Sequence, residues 1–197
     1  MSQELLRSLV WMDYRLAVLG TVVAPLVLLV WTFVSKQDAM VRLLIIYWRV
    51  LSLLAITVYL MIGGFPFSLL TGMASRVLIP VCLWFWVDIN EEIAEQPEST
   101  LKTAFTSWRW GVSLYGVLGA IAMVPFLPCA FDRQVFATDF CKVWFEAPLV
   151  FREYFHANLN RGFLGFLGIA GLIVYLLCMG YFVFVRLGKQ GRSALER

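Results

Sequence analysis

Two groups of side chains in this sequence have types and spacings that chemistry uses. Asp88, Glu91 and Glu92 stand at i, i+3 and i+4, which puts three carboxylates on one face of a helix. Such a face could hold a proton or a metal ion. It could also be the solvated end of a helix, or supply partners to Arg76, Arg109 or another subunit, and the solvated or ion-paired reading is the expectation. The sole histidine, His156 in FREYFHANLN, has no second histidine to complete a zinc or haem site. A structural role at a membrane interface is expected of it. A single axial contact to chlorophyll, another pigment or haem is its cofactor reading, and no cofactor is assigned.

Two arginines pose the opposite problem, because they lie within apolar stretches. Arg49 interrupts RLLIIYWRVLSLLAITVYLMIGG, and Arg76 precedes VLIPVCLWFWV, only eleven residues before Asp88. A guanidinium stays protonated in hydrocarbon and costs at least about 2.5 kcal/mol at the centre of a spanning helix, so each needs shelter. Arg42, Tyr47, Trp48 and Arg49 are expected to form an interfacial girdle, with the arginines reaching toward headgroups. Arg76 is expected to meet a carboxylate, carbonyls, water or a lipid phosphate. The chain has no GxSxG, P-loop, HExxH, CxxC or CxxCH motif, so no enzymatic activity is expected.

The elements that must hold these groups follow from composition. Of 197 residues, 61% are hydrophobic and 15% charged, too little polar surface to coat a water-soluble globule of this size. A net charge of +3, with scattered basic residues, argues against nucleic acid as a partner. The expected fold is all-α: a polytopic transmembrane helical bundle with about five spans, in a single membrane domain, and a partly helical extramembrane cap between the last two.

Candidate spans are 16–34, 46–67, 68–90, 109–131 and 162–185. The first lacks a small-x-small cleavage site and is expected to stay in the mature chain. Pro25 should bend it, provided that a neighbour satisfies the carbonyl it frees. For the third, either a helix runs from about Ser68 to Val87 with Arg76 inside, or 65–75 forms a re-entrant piece. Ser99 or Thr100 is expected to cap the lead-in to the fourth. The segment 132–161 mixes eight charges with many aromatics and reads as a short interfacial helix or compact cap. In the fifth span Gly162, Gly165, Gly168 and Gly171 recur every third residue, a stripe suited to close packing with another helix; the alternative is that glycine is simply common in membrane helices.

Five spans with the basic tail inside would place eight basic residues on the cytoplasmic side (Lys36, Arg42, Lys102, Arg109, Arg186, Lys189, Arg192 and Arg197) against six outside. Cys129 and Cys141 are twelve apart, a spacing that a folded loop can close, and a disulfide there would put 132–161 in an oxidising lumen or periplasm. Two unpaired thiols are the alternative. Cys82 and Cys178 are expected to be small apolar side chains.

The stretches WRVLSLLAITVYLMIGG, RVLIPVCLWFWVDINEEIAE, AFTSWRWGVSLYG, FREYFHANLN and FVFVRLGKQGRSAL resemble a family of small cyanobacterial integral membrane proteins of unassigned function, with likeness over nearly all of 11–195. The resemblance implies a thylakoid or plasma membrane and a role as accessory subunit or assembly factor of a photosystem or related electron-transfer complex. No catalytic residues are established for that family, so none carries over. The expected function is that of a non-catalytic interaction protein binding other integral membrane subunits and anionic lipid. In that role Arg49, Arg76, Asp88, Glu91, Glu92 and the glycine stripe make the contacts. The alternative is a small-molecule or lipid-binding carrier or pore component, with Arg49 and Arg76 facing a cavity.

Overall fold

A computed structural model describes residues 2–187, and every element among them is a helix. Lys189, Arg192 and Arg197 lie outside the described residues. The first long helix, Gln3–Val34, consists of α1 (Gln3–Ala17), a π-helical segment (Val18–Val23) and α2 (Ala24–Val34). Then follow α3 (Asp38–Ile62), α4 (Ser68–Phe85), the short α5 (Val87–Glu95) and α6 (Thr100–Met123), the last extended by a 3-10 turn, Val124–Phe126. The cap comprises α7 (Pro128–Phe131), α8 (Arg133–Phe136) and α9 (Asp139–Phe155), and the chain crosses back in α10 (Arg161–Tyr181). Among the described residues five helices are long and apolar enough to span a bilayer, and they form a polytopic bundle with a helical extramembrane segment. At its centre α3 packs along α4 and α10, and α4 along α6.

The sequence punctuates these helices with side chains that satisfy free backbone N–H groups at their first turns. Ser2, Ser99, Asp132 and Asn160 each accept a hydrogen bond from an N–H two or three residues ahead. The first two helices begin before the expected 16–34 and 46–67 because charges that would stop a lipid-exposed span are neutralised inside the protein, while Ser68–Phe85 and Thr100–Phe126 stand in place of the expected 68–90 and 109–131. The first helix starts at Gln3, because Arg7 pairs with Glu146 of the cap (2.7 Å) and Asp13 with Arg76. α3 starts at Asp38, where Arg42 pairs with Glu92 of α5. The re-entrant path for 65–75 is not taken; 65–67 is a turn and Arg76 stands inside α4. α4 stops at Phe85, and extended backbone at Trp86 separates it from α5, so 68–90 is two helices.

Pro25, Pro80 and Pro148 stand inside long helices, and each frees the carbonyl four residues earlier, which would otherwise accept that residue's N–H; in two of the three a tyrosine hydroxyl meets it. Pro25 frees the carbonyl of Thr21, which accepts the Tyr47 hydroxyl at 2.6 Å. Pro148 in α9 frees that of Trp144, which accepts the Tyr14 hydroxyl at 2.6 Å. Pro80 frees that of Arg76, approached so closely by α6 that a Cβ on Gly116 would lie 2.7 Å from it. The π-helical segment has a further tie, the Trp108 indole N–H to the Gly20 carbonyl at 2.9 Å. Tyr47 is therefore a fully buried structural tyrosine rather than part of a girdle. Tyr47→Phe strands the Thr21 carbonyl and should cost about 1–3 kcal/mol, read as a lower unfolding midpoint in detergent.

The cap is built on a second apolar cluster, with the Phe126 and Phe140 rings stacked at 4.4 Å and Trp144 edge-on to Phe126. Cys129 of α7 and Cys141 of α9 are joined in a disulfide, both fully buried. Closing a loop of this length stabilises by roughly 2–4 kcal/mol. The double variant Cys129→Ala/Cys141→Ala should lower the unfolding midpoint in non-reducing buffer, while the parent should fall toward it on adding reductant.

Candidate functional site

Arg76 is the ninth of the eighteen residues of α4, about 12 Å from either end and 9% exposed, so its charge sits at mid-bundle. Asp13, one turn into the buried part of the first helix, receives the Arg76 Nη2 hydrogen bond through Oδ2. The Asp13 Oδ1 accepts the Tyr115 hydroxyl of α6 at 2.8 Å, and that hydroxyl also reaches the Asp13 carbonyl at 3.1 Å. The guanidinium carbon lies 5.3 Å from the Tyr115 ring centre. Room for the head group comes from Gly119, where any Cβ would overlap the Arg76 Nη1. A carboxylate, a guanidinium and a phenol from three different helices are thus gathered in one charge-neutral cluster.

Beside this cluster the bundle holds a cavity of about 430 Å³, within the range of small-ligand sites. Helix one and α3 form its sides, Gly72 and Arg76 of α4 with Met123 of α6 its floor, and Trp144 of α9 part of its wall. Its inner residues, Thr57, Met61, Arg76 and Met123, are buried, whereas Val18, Ser52 and Ala55 at the other side are exposed on the outer surface of the bundle.

Arg109, counted above among the cytoplasmic positive charges, is instead 4% exposed inside the bundle. Its guanidinium lies 4.2 Å over the Trp84 ring and donates to the Leu83 carbonyl at 3.2 Å and to the Asn90 side-chain oxygen. Asn90 in turn donates to the Trp86 carbonyl at 2.6 Å. These are carbonyls left free where α4 stops, so Arg109 neutralises the negative end of that helix and fixes the break before α5. It leaves the tally of surface positive charges that was used for orientation.

The carboxylates do not converge. Glu92 pairs with Arg42 and Glu91 is exposed, while Asp88 is half-buried at the start of α5. Among the described residues no group of three or more His, Cys, Asp and Glu side chains is placed to hold a metal. Glu92 thus pairs with Arg42 rather than with Arg76, whose carboxylate partner is Asp13. The His156 Nε2 lies 3.0 Å from the Tyr59 hydroxyl, so that nitrogen is engaged in tying the end of α9 to α3.

The glycine stripe is filled from within the chain. A Cβ on Gly165 would meet the Gly63 Cα at 2.9 Å, one on Gly168 the Leu60 backbone nitrogen at 2.9 Å, and one on Gly171 the Ile56 side chain at 3.2 Å; Gly162 meets only the Asn160 side chain, at 3.5 Å. The stripe therefore serves the α3–α10 contact, with Gly165 and Gly168 buried in it and Gly171 half-buried at its edge. Arg49 differs from the buried arginines, Arg76 and Arg109. It is the twelfth of the 25 residues of α3 and exposed, and its side chain makes no hydrogen bond or ion pair among the described residues. The girdle expected around it is absent, since Arg42 is paired and Tyr47 buried.

Sequence reasoning missed Asp13, Tyr115 and Gly119. A signal existed for the first: an unexplained intramembrane arginine demands a carboxylate, and Asp13 stands three residues before an apolar run. Residues 7–195 match the model of a family described as protein of unknown function (DUF3177). No curated protein and no solved structure gives a significant match. The family description carries neither an activity nor an organism group.

Proposed function

The chain belongs to the DUF3177 family, and from that premise we propose that it is a non-catalytic integral membrane interaction protein, an accessory subunit or assembly factor of a larger membrane complex. Arg49 carries this reading. The two arginines buried in the bundle among the described residues, Arg76 and Arg109, have their partners inside the chain, while Arg49 presents a guanidinium on the outer face of α3, about 17 Å from the start of that helix. Exposed to hydrocarbon alone, it would cost at least about 2.5 kcal/mol; a carboxylate or free helix-end carbonyls on a neighbouring subunit would remove that cost. Snorkelling to an anionic headgroup is the competing outcome.

The likeness to small cyanobacterial membrane proteins directs the search for that neighbour to the thylakoid or plasma membrane, where photosystems and related electron-transfer complexes are the expected partners. The disulfide supports an orientation with 132–161 in the lumen or periplasm and the C-terminus in the cytoplasm.

Gently solubilised native membranes should show the protein in a large complex on native electrophoresis. Arg49→Leu should move it to the position of the free protein while leaving its unfolding midpoint within about 0.5 kcal/mol of the parent. Migration of the parent itself only as a free monomer would overturn the proposal, and retention of the Arg49→Leu variant in the complex would assign Arg49 to lipid.

A further inference from the structure

The apolar stripe of α9 outruns the protein that covers it. Trp144, Pro148, Phe151 and Phe155 stand at i, i+4, i+7 and i+11, so they share one face of the helix. Trp144 and Pro148 are buried against the bundle. Further along the same face Phe151 is 36% exposed and Phe155 72%, and the neighbouring Tyr154 is 82% exposed. The Phe151 and Phe155 rings stack on each other at 4.9 Å. Glu153, exposed and about 160° round the helix from Phe155, lies on the far side.

Two ties fix the height of this patch. His156, the next residue, is bonded through Nε2 to the hydroxyl of Tyr59, which stands about 4.5 Å before the end of α3. Arg152 donates from Nε and Nη2 to the Leu159 carbonyl, at 3.1 and 2.9 Å, and so closes the turn that leads into α10 at Arg161. The end of α9 is thus level with the last turn of one span and the first turn of another, whose Phe163 and Phe166 are themselves exposed. At that level hydrocarbon gives way to headgroups, the layer that aromatic rings favour. Arg161, exposed and without a hydrogen bond or ion pair among the described residues, adds a positive charge there, which complements phosphate.

We infer that the 151–155 end of α9 is a lipid-binding surface. Its three rings lie among the glycerol and upper acyl groups of the leaflet in which α10 begins, with Arg161 at the phosphates and Glu153 in water. The disulfide-closed Cys141 end of the same helix is seated on the bundle, and the opposite end rests on phospholipid. This surface is independent of any docking at Arg49 and of which side of the membrane the cap occupies.

The test places nitroxide labels on the full chain in vesicles of phosphatidylcholine and phosphatidylglycerol, with Cys178→Ser removing the exposed thiol. Labels on Phe155→Cys, Tyr154→Cys and Glu153→Cys are compared by their collisions with oxygen, which concentrates in lipid, and with a water-soluble nickel chelate. The ratio of oxygen to nickel collisions should be at least about threefold higher for the 154 and 155 labels than for the 153 label, because opposite faces of an interfacial helix meet different solvents. The three side chains are exposed, so each variant should unfold at the midpoint of the parent. Two labels on the apolar side keep the comparison decisive if one variant does not fold. Nickel-dominated collisions at both would put the patch in water, and few collisions with either reagent would put it against protein. Either result, or equal ratios at all three positions, would overturn the inference.

Discussion

Asp13→Leu is expected to destabilise the bundle by about 3–5 kcal/mol, because it leaves the Arg76 guanidinium buried at mid-bundle with no counter-charge. Arg76→Met should cost a comparable amount by stranding Asp13, whose remaining tie is the Tyr115 hydroxyl. The double variant Asp13→Leu/Arg76→Met should recover most of the loss. It removes both charges together, and Tyr115 keeps a second acceptor in the Asp13 backbone carbonyl, which survives the substitution. The measurement is a double-mutant cycle on the unfolding midpoint in mixed micelles, with an expected coupling of several kcal/mol. Single variants within about 0.5 kcal/mol of the parent would mean that water reaches the pair and that the buried cluster is wrong. A recovered double variant would have a second meaning. Since an apolar substitute folds as well, the ion pair would be retained for something other than folding, and the cavity beside it is the place to look.

The existence and order of the five spans were legible because hydropathy over about twenty residues is a strong, local signal. Their ends were not, because an end depends on whether a charge has a partner elsewhere in the chain. Glu146 lies 139 residues from Arg7, Arg76 lies 63 from Asp13, and Glu92 lies 50 from Arg42. Each of those pairs extends a helix past the point where an isolated segment would meet water. The same non-locality hid the site. Arg76 announced its need for shelter, whereas Asp13, Tyr115 and Gly119 look ordinary until three helices bring them together. Pro25, by contrast, announced both a bend and a free carbonyl, and the answer lay 22 residues downstream in Tyr47.

The glycines of α10 show how a local pattern can be right about packing and silent about the partner. A stripe at Gly162, Gly165, Gly168 and Gly171 serves equally for a helix of the same chain or of another, since close approach is all it encodes. The contact with α3 predicts a graded series of alanine substitutions. At Gly165 the opposing atom is the Gly63 Cα at 2.9 Å and at Gly168 it is the Leu60 nitrogen at 2.9 Å, both backbone, which can yield only if the helices part. Gly165→Ala and Gly168→Ala should therefore each cost about 1–3 kcal/mol, an overpacking penalty larger than the gain in helix propensity. At Gly171 the neighbour is the Ile56 side chain at 3.2 Å, which can shift, so the change should be close to neutral. Gly162 meets nothing nearer than 3.5 Å, and its alanine variant should gain up to about 1 kcal/mol from propensity. Unfolding midpoints of the four purified variants would check the order. A flat series, with loss of a larger complex as the sole effect, would return the stripe to an external partner and place α10 elsewhere in the bundle.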